Sequence, residues 1–208
     1  MGQYAFAIDA ASCTGCKTCQ VACQEAHDLD AAILWRQVLQ YGGGSWKEAG
    51  AGVYAPEGVF RYFVSVSCNH CAHPVCVENC PTGAMAKDPD TGIVTSDPSV
   101  CIGCETCVEA CPYDAPKLNP ETSVIGKCDM CSLLIEAGEE PACVQACPTR
   151  AMHFGTLEEL KGAYPEADAL IEPLPLAETD PSLLVLPHAS AQRSGEGTGE
   201  VIFCTAEV

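Results

Sequence analysis

The sequence predicts an α+β fold made of two small cysteine-rich units, one inserted within the other, followed by an extended C-terminal tail. Three observations predict it. Sixteen of the 17 cysteines in this 208-residue chain fall into four groups of one design. A strand–turn–strand pattern joins the second group to the third, whereas a different kind of segment joins the first to the second. Beyond about residue 157 the groups cease, and Pro173, Pro175, Pro181 and Pro187 punctuate the chain. An apolar share of 48% is ordinary for a folded protein, and the length suits one large domain or two small ones.

The stretch "CTGCKTCQVAC" holds Cys13, Cys16, Cys19 and Cys23. The second group is Cys68, Cys71, Cys76 and Cys80; the third Cys101, Cys104, Cys107 and Cys111; the fourth Cys128, Cys131, Cys143 and Cys147. Each opens with C-x2-C and closes with x3-C. Pro81, Pro112 and Pro148 follow three of the closing cysteines, and Gln24 follows the other. A chain this long does not need disulfides to hold it together, and an odd total with repeated two-residue spacings makes no sensible disulfide framework. Structural zinc needs only two C-x2-C knuckles; the fourth group alone could pass as such, but the other three crowd too many thiols together. Three cysteines at C-x2-C-x2-C wrap one side of a [4Fe-4S] cube. The fourth, three residues on and opening a helix, points away and ligates a different cluster, with proline following it, as in two-cluster ferredoxins. Four [4Fe-4S] clusters use all sixteen grouped cysteines.

The elements follow in order. After the first group, "QEAHDLDAAILWRQVLQYGGGSW" reads as a continuing helix and a glycine-rich loop, within an inserted segment spanning residues 24–59. Between the second and third groups, a short strand at Ala84–Ala86, a turn through "DPDTG" and a β-branched strand at Ile93–Thr95 make the hairpin of a compact two-cluster ferredoxin-like unit. The first group lacks such a hairpin and is left to pair with the fourth, whose "CPTRAMHFG" closely repeats "CPTGAMAKD" of the second. The units are therefore nested: residues 60–120 form the inner one, and residues 1–59 with 121–160 the outer one. "TLEELKGAYPEADAL" reads as a short helix and turn, and residues 161–208 as an extended tail that buries no core of its own and lies across a partner subunit.

With 28 acidic and 10 basic residues the net charge is -18, which excludes nucleic acid and anionic membrane surfaces as partners and leaves proteins. "YFVSVS" and "SLLVLP" fall far short of a membrane helix, so no direct membrane span is expected. "MGQYAFAIDAASC" has no basic n-region and no twin arginine, so any export is expected to depend on a companion.

From "QYAFAIDAASCTGCKTCQVAC" through "YGGGSW", "SCNHC", "CIGCETC", "KCDMC" and "LLVLPHASAQRSGEGTG", the chain resembles the iron-sulfur electron-transfer subunit of the dimethyl sulfoxide reductase family of molybdopterin oxidoreductases. The resemblance implies two ferredoxin-like units with pseudo-twofold symmetry, holding four [4Fe-4S] clusters in a line. It assigns Cys13, Cys16, Cys19 and Cys147 to cluster 1, and Cys128, Cys131, Cys143 and Cys23 to cluster 2. Cys68, Cys71, Cys76 and Cys111 go to cluster 3, and Cys101, Cys104, Cys107 and Cys80 to cluster 4. It also implies a molybdopterin-containing catalytic subunit beside cluster 1, and a quinone-linked membrane subunit, or another redox partner, on the cluster 4 side. Some relatives, among them the respiratory nitrate reductases, place Trp at the third position of the third group and hold a [3Fe-4S] cluster there; Cys107 implies a full cubane. The complex is expected outside the cytoplasm by co-export with a Tat-tagged partner, or inside where the partner lacks a tag. Iron fully ligated by thiolate offers substrate no open position, so the chain is expected to be a non-catalytic electron carrier. A polyferredoxin-type subunit of another oxidoreductase, such as a hydrogenase, is the alternative.

Other residues receive plainer readings. Lys17, Lys117 and Lys127 are read as solvated surface lysines, with electrostatic raising of a cluster potential as the alternative. His70 and His73 are expected around the second group or at the surface, and His27, His153 and His188 are scattered with no ligand-like cluster. Trp35, Trp46 and the "YGGGSW" turn are read as core packing or protein contact, with contact to a quinone or the membrane subunit as the alternative, and Cys204 as a small buried apolar residue, with a reactive thiol as the alternative.

Overall fold

The computed structural model describes residues 2–176 and 178–203. β1 (Tyr4–Asp9) leads into the first cysteine loop, which ends in α1 (Thr18–Ala26). β2 (Gln37–Gly50) and β3 (Val53–Val66) then form a long antiparallel hairpin. The second group carries α2 (Val75–Glu78) and the hairpin of β4 (Met85–Lys87) with β5 (Val94–Ser96). The third carries α3 (Thr106–Ala110) and a second hairpin, β6 (Lys117–Asn119) with β7 (Val124–Gly126). The fourth carries α4 (Ser132–Glu136) and α5 (Ala142–Gln145), followed by β8 (Met152–Thr156), α6 (Leu157–Ala163), β9 (Leu183–Leu186) and β10 (Glu200–Phe203).

The outer sheet has the order β8-β1-β9. β1 alternates along its length: Phe6 and Ile8 enter the main core beside Cys19, Cys128, Cys143 and Cys147, while Ala5 and Ala7 lie under Leu160 and Leu184. A strand covered on both faces needs apolar residues at both parities. β8 pairs antiparallel with β1, Phe6 opposite Phe154, so the strand preceding the first group and the strand following the fourth close on each other. α6 starts with a capping box in which the Thr156 hydroxyl accepts from the Glu159 N–H and the Glu159 carboxylate accepts from the Thr156 N–H.

Three expectations are corrected. The segment after α1 is not a continuing helix and a glycine-rich loop. The helix stops at Ala26, and a 14-residue strand runs through "YGGGSW" and pairs with β3, so a hairpin, long rather than compact, does lie between the first and second groups. The glycines serve close strand approach there, since a Cβ on Gly44 would lie 2.5 Å from the carbonyl oxygen of Gly58. Trp46, on the solvent-facing end of this hairpin, is 62% exposed and is no core residue. The tail is not coreless: Leu183–Leu186 pairs parallel with β1 as the edge strand of its sheet, with Leu183, Leu184 and Val185 buried, because a continuous apolar run suits a strand covered on both faces. The β6–β7 hairpin spans residue 120, and its Ile125 packs with Met85, Val94, Cys76 and Cys107. The β4–β5 hairpin stands where expected, one residue later on each strand, with the Asp88 carboxylate accepting from the N–H groups of Asp90 and Thr91 at its turn.

Candidate metal centres

The cysteine loops share a backbone device. In each C-x2-C the residue just before the second cysteine has positive φ: Gly15, His70, Gly103 and Met130. The left-handed turn swings the two thiols to the same side. Lys17 and Glu105, one residue past the second cysteine, repeat it and open α1 and α3. At Gly103 a Cβ would lie 2.3 Å from the Ser123 carbonyl oxygen, so space as well as φ demands glycine. Among the described residues the sixteen grouped cysteines are all free of disulfides. Cys204 lies outside the described residues.

Thiols that are far apart in sequence meet. Cys13 has Cys19, Cys147 and Cys16 as its thiol neighbours, and Cys23 has Cys128, Cys143 and Cys131. Cys76 has Cys68, Cys111 and Cys71, and Cys107 has Cys80, Cys101 and Cys104. Each closing cysteine thus stands among the leading cysteines of another group. Cys19 is also close to Cys143, and Cys128 to Cys68, so the quartet of Cys128 neighbours those of Cys19 and Cys68.

Two quartets enclose a cavity. Cys68, Cys71, Cys76 and Cys111 line one together with Pro112 and Lys127; Cys80, Cys101, Cys104 and Cys107 line another with Met85 and Ile125. A roughly cubic group with a thiolate at four corners suits walls that are otherwise apolar, and N–H donors point at the sulfurs. Met85 N–H donates to Cys80 Sγ at 3.5 Å, Ile125 N–H to Cys101 Sγ at 3.4 Å, and Met130 N–H to Cys128 Sγ at 3.4 Å. The donor set therefore fits iron-sulfur clusters, which take thiolate ligands and NH–S hydrogen bonds.

Burial sets the thiol chemistry. It pushes Cys13 and Cys71 up to about 11, and Cys76 and Cys128 up to about 12, because a bare thiolate is poorly solvated in a dry pocket. Such groups ionise only when a cation takes the charge. Cys16 and Cys104 are exposed, and the hydroxyls of Thr18 and Thr106, 3.3 and 3.4 Å from their sulfurs, hold them below the ordinary thiol range.

Lys127 and His27 depart from their plain readings. Lys127 is 3% exposed, corrected from a solvated lysine; it follows directly on the end of β7, and its ammonium donates to the carbonyls of Val94 and Cys128. Lys117 pairs with Asp114, and Lys17 is half-buried in its left-handed turn. His27 is no stray: its Nε2 lies 3.4 Å from Cys131 Sγ and 3.5 Å from the Asp129 carboxylate, and its ring rests on Trp35 at 4.8 Å. His70 is fully buried and its Nδ1 accepts from the Val94 N–H, while His73 is exposed beside Asp180. His153 lies against Tyr164 and His188 stacks on Tyr62. Sequence reasoning passed over Lys87, whose ammonium donates to the carbonyls of Cys71 and Gly92, and Arg36. A signal for Arg36 existed: it stands two residues before buried Val38, on the inward parity of the segment that leads into β2.

Residues 59–157 match the family model of a 4Fe-4S dicluster domain, and residues 10–26 that of a 4Fe-4S binding domain. The sequence is 44% identical over 198 residues to the probable anaerobic dimethyl sulfoxide reductase chain YnfG of Escherichia coli, covering 95% of each. It is 43% identical to the B subunit of the anaerobic dimethyl sulfoxide reductase of Haemophilus influenzae, covering 96% of each. Protein NrfC of Escherichia coli is 37% identical over 158 residues, 76% of this chain and 67% of that one.

Proposed function

Because the protein belongs to the iron-sulfur subunit family of anaerobic dimethyl sulfoxide reductases, we propose that it relays electrons through four [4Fe-4S] clusters between a molybdopterin catalytic subunit and a quinone-linked membrane subunit or other redox partner. That it is a 4Fe-4S electron-transfer subunit follows from its family; the cluster number, ligands and partners are this proposal's own content. The single observation that carries it is the crossing of the closing cysteines: Cys147 among the first group, Cys23 among the fourth, Cys111 among the second and Cys80 among the third. Crossing of this kind supports the nested, pseudo-twofold pairing, as does the pairing of β1 with β8 around the outer groups.

When bound, such clusters supply one-electron chemistry. The chain's own work is to hold, insulate and polarise. Cys13, Cys16, Cys19 and Cys147 would hold cluster 1, and Cys128, Cys131, Cys143 and Cys23 cluster 2. Cys68, Cys71, Cys76 and Cys111 would hold cluster 3, and Cys101, Cys104, Cys107 and Cys80 cluster 4. With four protein thiolates on each, no coordination position is left for substrate, and the role is non-catalytic. Residues 161–208, beyond the strand they lend to the outer sheet, lie against the catalytic partner. No helix among the described residues is long and apolar enough to cross a membrane. The folded complex is carried out by a Tat-tagged partner, or stays inside where that partner has no tag. The family match across 95% of the chain favours this reading over a hydrogenase-type polyferredoxin.

Anaerobically purified protein should carry about sixteen irons and no stoichiometric zinc. About eight irons, or zinc in the fourth group, would overturn the four-cluster assignment.

A further inference from the structure

Arg36 is the largest fully buried side chain, 1% exposed, in a chain with 28 acidic residues. Among the described residues no carboxylate forms an ion pair with it. Its guanidinium donates to the Ser65 hydroxyl at 3.1 Å, the Ser65 carbonyl at 3.4 Å and the Ser67 hydroxyl at 2.9 Å, and lies 4.6 Å from the centre of the Phe6 ring. These partners are neutral. A buried, always charged guanidinium is strongly unfavourable unless something negative compensates it.

The compensating charge is that of the cysteines once they are ionised as metal ligands. Burial works against the charge of the guanidinium, and the sulfurs of Cys143, Cys128, Cys19 and Cys23 act in the opposite direction and raise it above the ordinary arginine range. Cys19 belongs to the first quartet, and the other three to the second. A hydrogen-bonded link reaches the first directly, since Ser65 Oγ lies 3.1 Å from the guanidinium and 3.3 Å from Cys19 Sγ. Ser65 is itself buried, so water does not screen the link.

We propose that Arg36 is a shared counter-charge for the two clusters of the outer unit, raising the reduction potential of both. The inference rests on the four-cluster reading above. One-electron reduction adds an electron from the redox partner, with no proton and no bond broken, so each site gains one negative charge. A fixed positive charge between the two stabilises the reduced form of each more than the oxidised form. Because it is shared, it lifts both together and keeps the step between them small. Arg36 is thus a positioning and polarising residue: it acts through the charge it holds and through Ser65.

The test is redox-poised EPR on the intact complex carrying wild-type chain, Arg36→Gln, Arg36→Met or Arg36→Lys, with dithionite as reductant and iron counted in each. With full iron, the two neutral variants should lower both outer-unit midpoints and leave both inner-unit midpoints in place, and Arg36→Lys should restore them. Outer midpoints that do not move in a fully loaded neutral variant overturn the proposal. Should both neutral variants lose iron, loss from the outer unit alone with rescue by Arg36→Lys supports the charge, and equal loss in Arg36→Lys overturns it. A wild-type protein lacking four clusters would instead strike the functional reading.

Discussion

Substitution of Gly103 by alanine tests whether the cysteine loops are fixed by backbone geometry, and three further glycines supply its controls. Gly103 has φ +63, and an alanine Cβ there would sit 2.3 Å from the Ser123 carbonyl oxygen. Left-handed backbone costs an ordinary residue about 1–2 kcal/mol. A carbon belongs at least about 3.3 Å from a carbonyl oxygen. The Ser123 backbone must therefore retreat by roughly 1 Å, and overpacking of this kind costs about 1–3 kcal/mol. Together these put Gly103→Ala at about 2–5 kcal/mol. Gly83, beside Cys80 of the same proposed quartet, has φ +72 but nothing within 4 Å of its added Cβ, so Gly83→Ala isolates the backbone part. Gly15→Ala meets the Phe63 ring at 2.5 Å, a side chain that can turn aside, and should fall between them. Gly162, in α6 with open space, should be stabilised by alanine by about 0.5–1 kcal/mol. The assay is guanidinium titration of anaerobic holoprotein followed by the visible absorbance of the clusters, with iron per chain counted beforehand. Metal loss makes unfolding irreversible, so the order of midpoints is the readout. A Gly103→Ala midpoint equal to that of Gly83→Ala, or a Gly162→Ala midpoint below wild type, would refute the reasoning.

Lys127→Met should lower the midpoint of the cluster proposed for Cys68, Cys71, Cys76 and Cys111, whose cavity Lys127 lines. A unit charge at contact range is worth a few kcal/mol at an effective dielectric of about 20, so redox-poised EPR should read tens of millivolts or more. Leu184→Ala, on β9 against Ala5, Ala7 and Leu160, should cost about 2–5 kcal/mol in chemical unfolding, whereas a free tail would lose nothing. Deletion of residues 190–208 removes β10 from its place beside β2 and should weaken co-purification with the catalytic partner at unchanged iron content; undiminished co-purification would count against a docking role.

The cysteine pattern was the most legible part of the chain, because ligand spacing is a local constraint that short loops must meet within a few residues. The β4–β5 hairpin and α6 were legible for the same reason: Asp88 to Gly92 carries its own turn chemistry, and Thr156 with Glu159 its own cap. What was missed depends on distant partners. "YGGGSW" resembles a loop until β3 and β10 are placed beside it, when its missing side chains become room for neighbouring backbone. "SLLVLP" is too short to separate a strand from a linker by periodicity, and only the vacant edge of β1 decides it. His27 lies 104 residues from the sulfur it approaches. Lys127 looks like any lysine before a cysteine until the inner hairpin closes over it and Val94 supplies a carbonyl.

Charge is sorted between surface and interior in a way that bears on the proposed relay. The net charge of -18 would by itself repel added electrons, yet Arg36 and Lys127, two of only 10 basic residues, are placed inside beside thiols, and each reaches more than one cysteine-bearing segment. A buried cation acts at low dielectric, whereas surface carboxylates are screened by water and salt, so the few interior charges outweigh the many exterior ones at the metal sites. Solvent exposure follows the same order. Nine of the sixteen grouped cysteines are buried, and the exposed ones among them are Cys16, in the first group, and Cys104, in the third. Ile102, 66% exposed, flanks Cys104, so a partner seated on this apolar spot also removes water from the adjacent sulfur. Desolvation disfavours the more negative, reduced form, so covering Cys104 would lower the potential of the cluster proposed there.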